Sequence, residues 1–163
     1  MKQLKFLTSI PLTYDSYVIQ KSTDHKIYKN AILFTPGSWT DSVSAMECYY
    51  SPEVISRCAE IWPTRYINLQ HSHNPIDFVG SVYNQHWDGV SLKGDLHLFR
   101  TGIGEHIITL IDAGIINKLS VEANTEDSYD RKLMIRSTDD MEFLGVSIIG
   151  HIPAPACKDA RIV

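Results

Sequence analysis

The sequence has few cysteines: Cys48, Cys58 and Cys157 are the only three among 163 residues, and they stand far apart. It contains no Cys-x-x-Cys pair, which argues against a structural zinc site and against a thioredoxin-like redox motif. The odd number of cysteines also argues against a disulfide framework. This usage is typical of a protein that works in a reducing compartment.

Long hydrophobic runs are also missing. No stretch reaches the roughly 18 consecutive apolar residues that a membrane-spanning helix needs. The apolar start at Phe6 and Leu7 stops at once at Thr8 and Ser9, without the core of a signal peptide. We therefore predict a cytoplasmic chain with no membrane partner.

The chain lacks an excess of positive charge. It has 15 Lys and Arg against 19 Asp and Glu, a net charge of −4, so a general nucleic-acid-binding function is disfavoured. Hydrophobic residues make up 44% of the sequence, enough for a globular core. The length favours one domain over residues 1–163, with 1–26 as an N-terminal arm or strand.

Hydrophobic periodicity predicts a mainly β protein of α+β character. Helical spacing follows the start signal Ser51-Pro52-Glu53 and recurs over 101–113, where Gly114 suits a C-cap. Residues 38–44 are predicted to be a loop. Extended segments are predicted at 27–34, 66–71, 78–83, 90–98, 119–123, 132–136 and 143–149. Since most links between them are too short for a parallel crossover, we expect a mostly antiparallel β-barrel of six or seven strands, surrounded by helices.

Two histidines, His71 and His73, flank Ser72. On an extended strand they would lie on the same face, since side chains repeat every two residues. With a third ligand such as His86 or Asp88 they could bind zinc. A His-x-His pair at a strand end is nevertheless more often a polar edge, so we expect no metal and no cofactor.

Ser120 is a candidate nucleophile. It is not in a Gly-x-Ser-x-Gly elbow, which disfavours an α/β-hydrolase. A catalytic serine needs a base and a third group that orients the base. His73 lies 47 residues before Ser120, so only the fold could bring the two together. Candidates for the third group are Glu142, the first choice, and also His151, Asp140 and Glu122.

The order of four segments resembles the tailed-bacteriophage prohead proteases. The first runs from Asn68 through His73 to Gly80 and is similar to the family's histidine segment, with His73 in register and His71 out of it. The others are the hairpin-like Asp88-Gly89 block, the helix and Gly114 that lead to Leu119-Ser120, and the closing Phe143–Ile149 with Pro153-Ala154. The resemblance covers 27–156 and leaves 157–163 as a C-terminal tail.

Two positions depart from the family pattern. Many relatives place an acidic residue directly before the closing Val-Ser, where this chain has Gly145. The family's glycine soon after the nucleophile is also missing, because Val121-Glu122-Ala123 stands there. The first departure leaves the third catalytic group open, and the second lies near the expected oxyanion site.

The resemblance implies a fold like that of the herpesvirus capsid-maturation proteases. It implies a serine endopeptidase with Ser120 as nucleophile, His73 as base (His71 as the alternative) and Glu142 or His151 as third member. It also implies cleavage of scaffold protein, major capsid protein and the enzyme itself inside the assembling prohead, in the host cytoplasm. Two other functions remain open: a non-catalytic capsid-associated barrel, and a metal-dependent hydrolase that uses His71 and His73.

Overall fold

The computed structural model describes residues 24–40, 46–150, 157 and 159–163. Two α-helices, a short 3-10 turn and eight strands follow one another in chain order. They are β1 His25–Phe34, β2 Gly37–Thr40, β3 Glu47–Tyr50, α1 Pro52–Cys58, β4 Tyr66–Leu69, the 3-10 turn Pro75–Asp77, β5 Gly80–Trp87, β6 Leu92–Phe99, α2 Ile103–Asp112, β7 Lys118–Asp130 and β8 Ile135–Ile149.

The start of α1 and the end of α2 lie where the sequence signals predict. Ser51 caps α1 by accepting a hydrogen bond from the backbone N–H of Val54 at 3.2 Å, and Pro52 occupies the first turn. Helix α2 ends before Gly114, whose φ of +71° suits the left-handed position that follows a helix. Helix α1 packs against β8 and α2 against β6. No helix in the described part of the chain is long and apolar enough to cross a membrane.

All eight strands belong to one mixed sheet. Its order is β1-β6-β5-β4-β8-β3-β2, and β7 pairs with the other edge of β8. Strands β4 and β3 both run parallel to β8, whereas β7 and β8 form a long antiparallel hairpin. Strand β8 is therefore the centre of the sheet, in contact with three other strands.

The structure is mainly β, as expected, but it differs in two respects from the expected mostly antiparallel barrel, closed or nearly closed. The sheet is mixed, because β4 and β3 each pair in parallel with β8. These strands are far from β8 in the sequence, so the lengths of the links between consecutive strands could not reveal the pairing. Within residues 24–40, 46–150, 157 and 159–163, no strand ladder closes the sheet. Between its edges β1 and β7 lies Arg161, which forms isolated bridges to Ile32 and to Lys118.

Three further differences concern single elements. Part of the predicted loop at 38–44 belongs to β2, which pairs with β3, a strand that was not predicted. The predicted segment 143–149 lies on β8, which already begins at Ile135, whereas most of the predicted segment 132–136 is the turn between β7 and β8. Strand β7 extends to Asp130, well beyond the predicted 119–123. The hydrophobic core lies between the sheet and the helices and includes Ile55, Leu96, Leu119, Phe143 and Ile148.

Candidate active site

A row of polar side chains crosses three neighbouring strands. Ser120 on β7 is directly opposite Ser147 on β8, and Ser147 is directly beside Asn68 on β4. Directly opposed residues share one face of a sheet, and the flanking residues Leu119 and Ile67 belong to the core instead. Ser120 is 6% exposed, and Ser147 and Asn68 are fully buried. Buried polar groups need partners, and Ser147 and Asn68 meet this need in part by bonding to each other.

Glu122 lies two residues after Ser120 on the same face of β7. Its carboxylate accepts hydrogen bonds from Tyr66 Oη at 2.6 Å, from Asn68 Nδ2 at 2.7 Å and from His71 Nδ1 at 3.1 Å. Only 11% of the Glu122 side chain is exposed. A buried carboxylate with three donors is fixed in place and has little freedom to turn.

Gly145 makes the bond between Tyr66 and Glu122 possible. In the sheet it stands between them, opposite Glu122 on β7 and beside Tyr66 on β4. A Cβ at position 145 would lie 2.5 Å from two ring carbons of Tyr66. The ring crosses β8 over this glycine and stacks on Phe78, with 5.2 Å between the ring centroids.

A tight turn positions His71 at the end of β4. The backbone N–H of Ser72 donates to the carbonyl of Leu69 at 2.9 Å, and the two central residues, Gln70 and His71, have φ values of +53° and +58°. Left-handed conformations cost non-glycine residues roughly 1–3 kcal/mol each. A hydrogen bond offsets this conformational cost, because the N–H of His71 donates to Ser147 Oγ at 2.6 Å.

Ser147 connects this turn to the polar row. Its hydroxyl accepts from the His71 backbone and donates to Asn68 Oδ1 at 2.5 Å. Asn68 in turn donates to Glu122. The His71 turn and the Glu122 carboxylate are thus held through the same buried hydroxyl and amide.

Electrostatics keep Glu122 ionised. Burial alone would raise the pKa of its carboxyl, but the hydrogen bonds from His71, Tyr66 and Asn68, together with the charge of His71, lower it to about 2. Burial, and then the bond to Glu122, raises the pKa of Tyr66 well above its usual range. Since an ionised carboxylate only accepts, Nδ1 of His71 carries the proton, and Nε2 of the neutral ring is an acceptor.

Ser120 lies two residues before Glu122 on β7. Its hydroxyl makes no hydrogen bond to any side chain in the described residues, and its neighbour Leu119 donates its N–H to Ala160 at 3.2 Å. Catalytic hydrogen bonds are often long without substrate and tighten when it binds. The arrangement contains the three roles of a hydrolytic triad: a hydroxyl, an imidazole with an acceptor nitrogen, and a carboxylate on the other nitrogen.

Comparison with known proteins gives a match in structure but not in sequence. No protein-family model matches the chain, and no curated protein matches its sequence. A solved structure does match: the capsid assembly protease gp21 of bacteriophage T4, with a TM-score of 0.52. The two are 11% identical, and the match covers 78% of this chain and 97% of the phage protein.

The chain has the fold of a phage capsid assembly protease. The resemblance to prohead proteases seen in the order of the sequence motifs is thereby confirmed. The two positions that depart from the family pattern, Glu122 and Gly145, are direct partners in the β7–β8 ladder.

The predicted residues fall into two groups within the protease fold. His71, the alternative base, is hydrogen-bonded to Glu122, and Ser120 lies two residues before Glu122 on the same face of β7. His73 does not join them: it is exposed, beyond the turn, and its ring makes no hydrogen bond within the described part of the chain.

The acidic candidates on β8 lie away from Ser120. Glu142 is exposed and accepts a hydrogen bond from Asn124 at 3.0 Å. It is five positions before Ser147, or roughly 17 Å along an extended strand. Asp140 is farther still and pairs with Arg57 at 3.1 Å. His151 falls outside the described residues.

The other proposed metal ligands are elsewhere in the sheet. The ring of His86 contacts the carbonyl of Asn84 at 2.8 Å, and Asp88 pairs with Lys93 at 2.7 Å in the β5–β6 hairpin. Among residues 24–40, 46–150, 157 and 159–163, no three His, Cys, Asp or Glu side chains come together as a metal site.

Sequence reasoning missed Tyr66 and Asn68. A usable signal was present, since the alternation of 66–69 places these two polar residues on the face opposite Ile67. Their partner Glu122 was among the candidates for the third group. The register that aligns β7, β8 and β4 depends on residues far apart in the chain and could not be predicted from the sequence.

Proposed function

We propose that the chain is a serine endopeptidase of phage capsid maturation in which Ser120 is the nucleophile, His71 the general base and Glu122 the residue that orients the base. The observation that carries the proposal is the hydrogen bond from His71 Nδ1 to the buried Glu122 carboxylate, two residues from Ser120 on the same strand face. The fold shared with a capsid assembly protease supports peptide bonds as the substrate class.

The proposed reaction has two halves. Nε2 of His71 takes the proton of Ser120 as the hydroxyl oxygen attacks the scissile carbonyl, and backbone amides near Ser120 stabilise the oxyanion. The intermediate expels the amine, which receives the proton from His71 and leaves an acyl-enzyme. Water then attacks the ester and gives a proton to His71, and His71 returns that proton to the Ser120 oxygen as the new carboxyl end leaves. Glu122 stays ionised throughout and stabilises the imidazolium.

The substrates we propose are the scaffold protein and the major capsid protein of the same phage, together with the enzyme itself. Cleavage would take place inside the assembling prohead in the host cytoplasm. These assignments follow from the shared fold and the motif order.

The choice of base is testable with matched variants, because His71 and His73 lie two residues apart. Asparagine tolerates the left-handed conformation of residue 71, so His71→Asn removes the imidazole without a new backbone conflict. Each variant is co-expressed with the cognate scaffold and capsid precursors, and cleavage is followed on gels. We expect Ser120→Ala and His71→Asn to be folded and inactive and His73→Asn to cleave normally.

The opposite result has a clear meaning. If His73→Asn is inactive and His71→Asn cleaves normally, the base is His73, in the register of the family motif. If Ser120→Ala cleaves normally and a chelator abolishes cleavage, the metal-dependent alternative replaces the serine mechanism. If the wild type neither cleaves the precursors nor reacts with a serine-directed fluorophosphonate, the non-catalytic barrel replaces it.

A further inference from the structure

Tyr66 contacts the one oxygen of Glu122 that neither Asn68 nor His71 uses. Asn68 Nδ2 and His71 Nδ1 both donate to Oε1, whereas Tyr66 Oη donates to Oε2 at 2.6 Å. The terminal torsion of a glutamate is broad and has no sharp minimum of its own. Contacts must therefore decide which oxygen faces the imidazole.

We infer that Tyr66 is a positioning residue for this site: by anchoring Oε2 from across β8, it turns Oε1 of Glu122 toward His71. The inference rests on the proposed function, in which Glu122 orients His71. The hydrogen bond from Tyr66 goes to the Glu122 carboxylate, so its proposed effect on the imidazole is indirect.

The ring that carries the Tyr66 hydroxyl is packed against its neighbours. Its ring is parallel to that of Phe78 within 2°, with the centroids 5.2 Å apart. It also lies close to Gly145, where a Cβ would be 2.5 Å from two of its ring carbons. A ring packed in this way holds its hydroxyl in one position. It is therefore better suited to positioning a neighbour than a flexible side chain is.

Tyr66 is also a permanent donor. Burial and the neighbouring carboxylate both favour its neutral form, so the phenol keeps its proton over the range in which a hydrolase works. The titratable groups that contact Glu122 among the described residues are Tyr66 on β4 and His71 on the turn after β4. Of the two, only Tyr66 keeps the same charge when His71 accepts a proton during the reaction.

The test compares Tyr66→Phe with Tyr28→Phe. Tyr28 makes the same kind of bond at a remote site, from its hydroxyl to Asp112 Oδ1 at 2.8 Å, so it controls for the loss of a tyrosine–carboxylate bond. Tyr66→Phe keeps the ring and its stacking on Phe78. Two quantities are measured: the titration of the Glu122 carboxyl carbon by ¹³C NMR, assigned with Glu122→Gln, and the rate at which a fluorophosphonate labels Ser120.

We expect Tyr66→Phe to move the Glu122 titration midpoint upward by roughly one to two pH units, the effect of removing one hydrogen bond from a charged group. We expect labelling at neutral pH to slow by about tenfold, since the imidazole is less well oriented. Tyr28→Phe should change neither quantity. A purely structural tyrosine would alter stability without moving the Glu122 midpoint.

The inference fails if folded Tyr66→Phe leaves both the midpoint and the labelling rate as in the wild type. If wild-type Ser120 is not labelled at all, the proposed function fails, and the NMR midpoint still reports whether Tyr66 holds the carboxylate. Should Tyr66→Phe not fold, Phe78→Leu removes the ring that supports Tyr66 and is measured in the same two ways. An unchanged midpoint in that variant would equally overturn the inference.

Discussion

Gly145 stands directly opposite Glu122 in the β7–β8 ladder, and its missing side chain gives Tyr66 the space to reach the Glu122 carboxylate. A glycine in a central strand normally weakens a sheet. Here it allows a carboxylate on one neighbouring strand to be bonded by a phenol on the other. The candidate site is therefore assembled across three strands and depends on their register.

The first prediction concerns this glycine. Gly145→Ala places a methyl group 2.5 Å from the Tyr66 ring and 2.7 Å from the Tyr66 carbonyl, so the ring must move. We expect a loss of about 1–3 kcal/mol of unfolding free energy, measured by urea denaturation, and slower fluorophosphonate labelling. Gly150→Ala is the control, because its new Cβ would meet only the end of the Gln70 side chain at 3.3 Å. Equal stability of the two variants would contradict the close approach described above.

The second prediction concerns the pH dependence of stability. The folded-state pKa of Glu122, about 2, is below its ordinary value of 4.5. Such a group contributes stability that is fully present above pH 4.5 and is lost as the pH falls through about 2. Glu122→Gln should therefore lower the unfolding free energy by up to about 3 kcal/mol at neutral pH, and the difference from wild type should shrink below pH 4.5.

The control for that experiment is Glu142→Gln, which changes an exposed carboxylate bonded to Asn124. We expect its unfolding free energy to stay within about 0.5 kcal/mol of the wild type. A difference between wild type and Glu122→Gln that does not vary with pH would show that the ionised carboxylate is not what the three donors stabilise.

The third prediction concerns the hydroxyl that links the His71 turn to the polar row. Ser147→Ala leaves the His71 N–H and Asn68 Oδ1 without their partner in a fully buried position. We expect a cost of about 1–3 kcal/mol in unfolding free energy, together with slower labelling of Ser120, because the turn loses its anchor. Ser128→Ala, on the exposed part of the same hairpin, should have neither effect. A Ser147→Ala variant as stable and as reactive as Ser128→Ala would contradict the anchoring role.

Local signals predicted much of the fold. The start of α1 at Ser51-Pro52, the end of α2 before Gly114 and the alternation in β1, β5 and β6 depend on neighbouring residues and could be seen in the sequence. The pairing of β4 with β8 could not, because more than sixty residues separate Leu69 from Ile135 and nothing in either segment specifies its partner. We therefore expected a barrel of mostly antiparallel strands and did not predict the mixed, unclosed sheet.

Several residues of the candidate site could be predicted from the sequence, but the strand register that pairs them could not. Reading 66–71 as a straight strand would place His71 and His73 on one face, but the left-handed turn at Gln70 and His71 ends the strand earlier. No glycine or Asn-Gly pair marks that turn in the sequence. Likewise, Glu122 and Gly145 became a pair only once β7 and β8 were found to be long and in register across both positions.

The most direct test of the central claim is fluorophosphonate labelling followed by mapping of the modified residue in the wild type, His71→Asn and His73→Asn. Our account predicts that the wild type and His73→Asn are modified on Ser120 at similar rates, and that His71→Asn is modified at least a hundredfold more slowly, since general-base assistance contributes about 10²–10⁴ in rate. Rapid modification of Ser120 in His71→Asn, with loss of modification in His73→Asn, would contradict the account and assign the base to His73.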